Sequence, residues 1–462
     1  MSHRTHSTHI SSRFGAVALG LTALGFAAGC HSISDPLLKA TNPDIINPTD
    51  VQSADGAEAS RVGALGRLRT MTAGDESTWI MGGLLADEYK SGDTFQQRDE
   101  TDQRNIDPTN GQITLAFRFI HRARLAGMQA IPLLRRFKPA PQSNIGLMFF
   151  VKGFAEMQSA QDVCDGQIFS DATQDPIVYG GPTSTVDAFK MAIASFDSAT
   201  GNAGSDAGAA TVLNLARIAK ARALLGLKQY SAAAALVASV PTSFVYNETF
   251  LQVSGDNGIW ALNNSVKRYT IQDSVEVNGA AKGSVIPNAL PFVSAKDPRV
   301  PTSKLTPRAF DGVTSFDAQL IWPTRETPVP LLQGIEARLI EAEAALTAGD
   351  ATTFLQKLND LRAPTGTNSG GIAGLAPLVD PGTASGRQDL LFRERAFWLF
   401  GRGVRLFDLR RRIRDYGLPA TSFPGSGAAF FKGGSYGTQV SIPVPQAELN
   451  NSNAKTCDAT KA

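Results

Sequence analysis

Apolar residues recur at three- and four-residue spacing in several separate stretches, and each stretch predicts an amphipathic helix. Ala57 to Thr70 places Val62, Leu65 and Leu68 on one face. Thr114 to Phe137 carries Phe117, Ile120, Leu125, Met128, Ile131, Leu134 and Phe137, with Pro132 placed to kink its end. Ile145 to Val163 reads as a third, aromatic-rich helix. Ser184 to Ser198 reads as a fourth, opening on an N-cap serine with Asp187 three residues later.

The clearest unit runs from Ala210 to Val240. An alanine-rich helix ends near Gly226, a turn holds Lys228 and Gln229, and a second helix runs from about Ser231 to just before Pro241. Small side chains let two antiparallel helices approach closely, with Leu224, Tyr230 and Leu236 in the seam. The unit loosely resembles a tetratricopeptide repeat. A second pair spans Gly334 to Arg362, broken at T-A-G-D, and the helices at 145–163 and 184–198 are placed to form a third. A single pair cannot bury its own apolar face, so the pairs are expected to stack, although unequal lengths argue against a plain solenoid.

Between the pairs the periodicity disappears. Residues 74–112, 242–333, 364–386 and 416–462 are rich in Gly, Asp, Asn, Thr and Pro, and read as long loops. Short strands are expected within 266–286 and 437–444, where Val and Thr alternate with polar residues, and a flexible linker at 200–209. The fold class is therefore mainly α, with long irregular loops and a few short strands.

The chain's start differs from its body. Arg4 and Arg13 precede an uncharged apolar stretch from Phe14 to Ala28, too short for the ~20 residues of a spanning helix and suited to a signal peptide. It ends Ala27-Ala28-Gly29-Cys30, which resembles the lipobox of bacterial lipoproteins. That resemblance implies cleavage after residue 29 and lipidation of Cys30, with several acyl chains giving a stable anchor. An ordinary secretory signal with an incidental cysteine is the alternative. His31, not aspartate, follows Cys30, which favours the outer membrane.

Composition narrows the function. Of 462 residues, 44 are Lys or Arg and 42 are Asp or Glu; removing 1–29 takes away two arginines and leaves 42 against 42. Without a cationic surplus, nucleic acid is not an expected partner. Beyond His31 the single histidine is His121, so no metal site and no cofactor is expected, and a Ser–His–Asp arrangement would have to recruit a histidine set in an amphipathic helix. H-E-x-x-H, C-x-x-C and G-x-x-x-x-G-K-[ST] are absent, and no enzymatic activity is expected. Cys164 and Cys457 are open to two readings, a long-range disulfide in an oxidising compartment or two inert thiols.

The C-terminal third adds a resemblance. Leu391 to Arg412 reads L-F-R-E-R-A-F-W-L-F-G-R-G-V-R-L-F-D-L-R-R-R. It resembles the signature helix of the SusD/RagB family of outer-membrane nutrient-uptake lipoproteins, with Glu394, Arg395, Phe397, Gly403, Arg405, Phe407, Asp408, Leu409, Arg410 and Arg411 at matching positions. Arg402 stands where the commoner version has an acid. Asp297-Pro298-Arg299-Val300 resembles the family's D-P-R motif, Glu336 to Leu346 its A-E-A helix, and Ile442-Pro443-Val444-Pro445 its late proline-bearing strand. The resemblance implies tetratricopeptide-like pairs under ligand-binding loops, and a division into a signal peptide at 1–29, an N-terminal helical region at 30–241 and a C-terminal region at 242–462. It also implies a SusC-like TonB-dependent transporter as partner and a glycan or other nutrient as ligand. Arg405 and Asp408, three apart, are spaced to pair, and the signature helix reads as scaffold; the alternative sets its arginines against lipid headgroups or the transporter.

Sugar faces stack on aromatic rings and their hydroxyls take planar polar partners. The loops offer Trp79, Tyr89 and Phe95 among Asp87, Glu88, Asp93 and Gln96, then Trp260 near Asp256, Asn257, Asn263 and Asn264, then Tyr269 and Trp322. These six aromatics are the candidate ligand contacts. A tetratricopeptide-type scaffold lipoprotein that binds protein segments during envelope assembly is the competing reading.

Overall fold

The computed structural model describes residues 51–251, 253, 255–363 and 370–462. The expected signal peptide at 1–29 and the expected lipidation site Cys30 lie outside the described residues. Residues 52–462 form one compact unit.

The helices of the N-terminal half are α1 (Ala54–Ala73), α2 (Thr78–Leu85), α3 (Gln96–Asp102), α4 (Gly111–Phe137), α5 (Ser143–Asp162), α6 (Thr185–Gly201), α7 (Ala209–Gly226) and α8 (Tyr230–Val237). A short turn α9 (Gly258–Trp260) continues into a π-type turn at Ala261–Ser265, and α10 (Gly334–Thr347), α11 (Ala351–Arg362), α12 (Ala384–Trp398) and α13 (Arg405–Arg414) complete the set. Neighbours in sequence pair: α5 packs on α6, α7 on α8 and α10 on α11, as periodicity anticipates, while α1 lies along α4. Strands are short and antiparallel: β1 (Tyr89–Ser91) with β5 (Tyr269–Ile271), β2 (Gln167–Ile168) with β3 (Pro182–Thr183), β4 (Val245–Glu248) with β8 (Val329–Gln333), and β6 (Thr302–Ser303) with β7 (Ala318–Gln319). The fold class is as expected, mainly helical.

Local chemistry accounts for the ends of these elements. The Ser184 hydroxyl accepts from the Asp187 amide at 3.0 Å, capping α6. The Asp350 carboxylate caps α11 through the Thr353 amide at 3.0 Å. The stretch at 200–209 is an ordered corner, because Asp206 reaches back to the Ser143 amide at 3.0 Å. Two loop expectations change. Residues 74–112 contain α2 and α3. The sequence of α2 (T-W-I-M-G-G-L-L) is apolar on all sides and wholly buried, so it has no amphipathic period to reveal it. Conversely 437–444 forms no ladder; Ile442 makes a single parallel bridge to Val163.

The core is continuous from α1 to the C-terminal segment, with a smaller cluster of Leu339, Phe354, Leu358, Leu361, Leu391 and Trp398 between α10, α11 and α12. Each such side chain contributes roughly 1.5–3 kcal/mol by leaving water. Cys164 and Cys457 are joined, with Cα atoms 5.9 Å apart.

Three of the four motif segments carry ion pairs in this core, while the Ile442–Pro445 segment attaches through backbone bonds to the end of α5. The D-P-R arginine, Arg299, holds Asp297 at 2.7 Å and Glu394 of α12 at 2.7 Å. Glu336 of α10 takes both arms of Arg222 at 2.6 Å. Glu343, also on α10, binds Arg411. Asp408 is claimed by Arg395 at 2.7 Å and Arg411 at 2.8 Å, so it is not the partner of Arg405, which instead reaches Asp87 at 3.2 Å. The arginine run does not make a basic surface. Arg410 is buried and donates to the carbonyls of Gln161 (2.5 Å) and Val163 (3.0 Å), satisfying orphan acceptors at the end of α5. Arg402 makes no ion pair among the described residues; it donates to the Trp398 carbonyl and lies over the Trp322 ring at 5.6 Å.

Several acids are buried without a cationic partner in contact. Burial pushes Glu88 up to about 8, against one stabilising amide from Gly401 at 2.9 Å, and its Oε2 is unpartnered. Burial likewise raises Asp102, Asp162 and Glu248 to about 7. Such groups hold a proton in the fold that the unfolded chain releases above about 4.5. Their contribution is full at low pH and is lost as pH rises through the folded values. Melting temperature is therefore expected to fall between about pH 5 and about pH 8. Glu88→Gln should flatten part of that slope, a difference on the order of a few kcal/mol at the alkaline end, read from thermal melts across the range. An unchanged slope in the variant would count against a protonated Glu88.

Candidate functional site

The aromatic candidates divide into a core set and a surface set. Gly401 and Gly403 both have positive φ, +67° and +64°, and make the turn between α12 and α13. A Cβ on Gly403 would come within 2.1 Å of the Trp79 ring, and one on Gly401 would come 2.6 Å from the Tyr89 hydroxyl and 3.1 Å from Trp322. Trp79, Tyr89 and Trp322 thus converge on one glycine turn, and are 0%, 2% and 2% exposed. Trp79 further donates its indole N–H to Gln158 at 3.2 Å, and Tyr89 meets Phe400 edge-on at 5.5 Å. Tyr269 is also buried, and its hydroxyl donates to Glu76 at 2.9 Å. These four are corrected from ligand contacts to packing residues, because their ring faces are already covered by protein.

Phe95 is exposed and Trp260 half-buried. Phe95 precedes α3, whose Arg98 lies over the Phe95 ring at 5.7 Å and over Tyr269 at 5.5 Å. Arg98 is clamped by Asp93 and Glu76. Asp93 also holds Arg268 at 2.7 Å, and Arg268 in turn covers the exposed ring of Phe310 at 4.0 Å. Glu76 has φ +53°, an uncommon value for a side-chain-bearing residue, maintained by its bonds to Arg98 and Tyr269. Asp102 accepts from the Ser91 amide at 2.7 Å, fixing β1 to α3. The result is a rigid polar frame carrying Phe95 and Phe310 at the surface.

Beside this frame is a cleft of about 500 Å³, within the usual range for small-molecule sites. Its walls include Arg69, Asp75, Phe119, Phe250 and Asp256. Asp75 is exposed and within electrostatic reach of Arg98 and Arg268, linking cleft and frame. Trp260 lies between two lining residues, Gly258 and Ala261. Gly258 forms the floor by close approach: a Cβ there would sit 2.1 Å from the Gly74 carbonyl carbon. Asp256 is oriented by Arg325 at 2.6 Å, and Arg69 donates to the Thr249 carbonyl at 2.8 Å. Aromatic faces beside fixed carboxylates and guanidinium groups suit a polar ligand with one apolar face. Periodicity gave no warning of Phe119, Phe250, Phe310 or Arg268. The loop signal F-D-G at Phe310–Gly312 is the single local hint.

Catalytic constellations find no assembled geometry among the described residues. Residues 433–437 (G-G-S-Y-G) match the G-x-S-x-G form of a nucleophile elbow, but they sit on a tight bulged turn rather than between strand and helix. The Ser435 carbonyl accepts from Gln103 at 2.9 Å, while His121 packs between Phe117 and Phe169. No group of three or more potential metal ligands occurs among the described residues. No helix among them is long and apolar enough to cross a membrane.

No family model matches the chain, and no curated protein matches it. Solved structures do. A SusD homolog from Bacteroides thetaiotaomicron aligns with TM-score 0.62 at 12% identity, covering 89% of this chain and 99% of the other. A SusD superfamily protein from Bacteroides vulgatus aligns with TM-score 0.60 at 14% identity, covering 88% and 99%. A SusD-like carbohydrate binding protein from Bacteroides vulgatus aligns with TM-score 0.56 at 14% identity, covering 77% and 83%. The fold is that of the SusD superfamily, as the signature helix implies.

Proposed function

We propose that this protein is a non-catalytic SusD-type lipoprotein, anchored through Cys30 at the outer membrane, that captures a glycan and delivers it to a SusC-like TonB-dependent transporter. The observation that carries the reading is the cleft of about 500 Å³ beside the Phe95–Phe310 frame, on a fold shared with a SusD-like carbohydrate binding protein. Phe95 and Trp260 are the residues proposed to stack on the sugar. The lipobox, the neutral mature chain and the frame of fixed carboxylates agree with a capture protein. A ligand that favours a closed arrangement with the transporter would need higher affinity for that arrangement than for the open one.

Two measurements test it. Glycan arrays with the purified protein should yield an oligosaccharide whose affinity falls about tenfold, equivalent to ~1.4 kcal/mol, in Trp260→Ala or Phe95→Ala with the melting temperature unchanged. A pull-down from native outer membranes, with Cys30 intact, should recover a large TonB-dependent barrel in near-equal amount. Recovery of assembly factors without a barrel would favour the scaffold reading.

A further inference from the structure

A second cleft, of about 330 Å³, lies between α4, the segment joining β2 to β3 and the turn at Gln446–Asn450. None of its walls is shared with the first cleft. At its rim Tyr179 is 58% exposed, on a hairpin that the C-terminal segment holds in place: Asn451 donates to the Gly180 carbonyl at 2.8 Å and Asn453 to that of Tyr179 at 3.1 Å.

Two groups of opposite charge line it with bonding capacity unspent. Arg124 is 7% exposed and gives Nε to Glu156 at 3.1 Å and Nη1 to the Ser170 carbonyl at 2.8 Å. Its Nη2 bonds to nothing among the described residues. The Glu448 carboxylate, on the C-terminal turn, likewise accepts no hydrogen bond among them; burial raises its affinity for a proton, against the opposing field of Arg118. The third polar group is His121, which burial and Arg124 hold neutral, with its value pulled down to about 4. Its Nε2 is enclosed and unpartnered, so packing against Phe117 and Phe169 is what positions the ring. A small tilt would bring Nε2 to a ligand hydroxyl and satisfy it.

This chemistry selects among ligands. An anion is opposed by Glu448 and a cation by Arg124. A neutral ring with adjacent hydroxyls suits both, since each hydroxyl donates to a carboxylate and accepts from a guanidinium. The exposed phenol ring and Leu125 supply surface for the C–H face of such a ring. We infer that this cleft is a second saccharide site, seating a neutral sugar ring on Tyr179 with neighbouring hydroxyls shared between Arg124 and Glu448. It goes beyond the proposed capture function and stands on separate residues, so either site can fail without the other.

His121 and His31 are the two histidines from Cys30 onward, which makes the imidazole a direct reporter. The membrane-purified lipoprotein in detergent, from Cys30 onward, with isotope-labelled histidine rings and His121 assigned by replacing His31, is titrated with cellobiose, maltose and N-acetylglucosamine, and with glycine as a zwitterionic control. The expected result is a saturable shift of His121 with at least one sugar. It should persist in Trp260→Ala and weaken about tenfold in Tyr179→Ala and in Glu448→Gln. Tyr179→Ala removes an exposed ring and should leave the melting temperature unchanged. No shift with any sugar, a shift seen with glycine alone, or one that vanishes in Trp260→Ala would each overturn the proposal.

Discussion

Replacing Arg411 by methionine is expected to cost about 3–5 kcal/mol of stability. Arg411, Arg395, Asp408 and Glu343 form a buried group of two cations and two anions, with side chains 0–2% exposed. Arg411 binds Glu343 and, at 2.8 Å, Asp408; Arg395 binds Asp408 at 2.7 Å; the Tyr416 hydroxyl adds a bond to Glu343 at 2.7 Å. Burial opposes the charges of Arg411, Arg395 and Asp408, yet their partners prevail. Arg411 and Arg395 hold their protons more tightly than usual and Asp408 gives its proton up more readily. Removing Arg411 leaves a net negative charge with no water to solvate it. The group is balanced, so a second change that removes Glu343 as well, Arg411→Met with Glu343→Leu, should recover much of the loss. Arg412→Met is the control: its partner Asp389 is 64% exposed, and such a pair is worth at most about 1 kcal/mol. Denaturant unfolding of the four proteins decides the matter. A loss below about 1 kcal/mol for Arg411→Met would mean that the buried group does not hold α10, α12 and α13 together.

The second large effect is expected at Cys457. Its bond to Cys164 closes a loop with sequence separation 293, and chain-entropy reasoning sets the stabilisation at up to about 5 kcal/mol. The structural consequence is local as well as global. The C-terminal segment returns along the end of α5, where Cys164 donates to the Ile442 carbonyl at 2.9 Å and Ile442 to that of Asp162 at 2.8 Å. Val440 bonds to the Ala459 carbonyl at 2.8 Å. Cys457→Ser should lower the melting temperature to that of the reduced wild type and make the amides of 440–459 exchange faster than those of α5. Equal melting of oxidised and reduced protein would show that packing alone fixes the segment.

The sequence by itself determined the amphipathic helices and the partners in three helix pairs. Wherever one face of a segment met the core and the other met water, as in α4, α6, α7 and α11, the spacing of apolar residues marked the helix to within a few residues. The capping side chain Ser184 marked one start. The motif segments also carried the fold class; three of them, the D-P-R turn, α10 and the signature segment, ion-pair with one another. Amphipathic periodicity fails where a segment is buried on all sides, so α2 went unseen, and the same failure misassigned its tryptophan.

The site was less legible. Trp79, Tyr89, Tyr269 and Trp322 stand in polar, glycine-rich stretches much as surface aromatics do. What distinguishes them is a contact more than 300 residues away in the case of Trp79 and Tyr89, the turn at Gly401 and Gly403. Phe95 and Phe310 stay exposed because Arg98, Arg268, Asp93 and Glu76, drawn from three separate segments, spend their charges on each other beneath them. Local sequence records the propensity of a segment and the side on which it will be covered. Which aromatic ring receives that cover, and which is left for a ligand, depends on long-range packing and is decided by the tertiary structure alone.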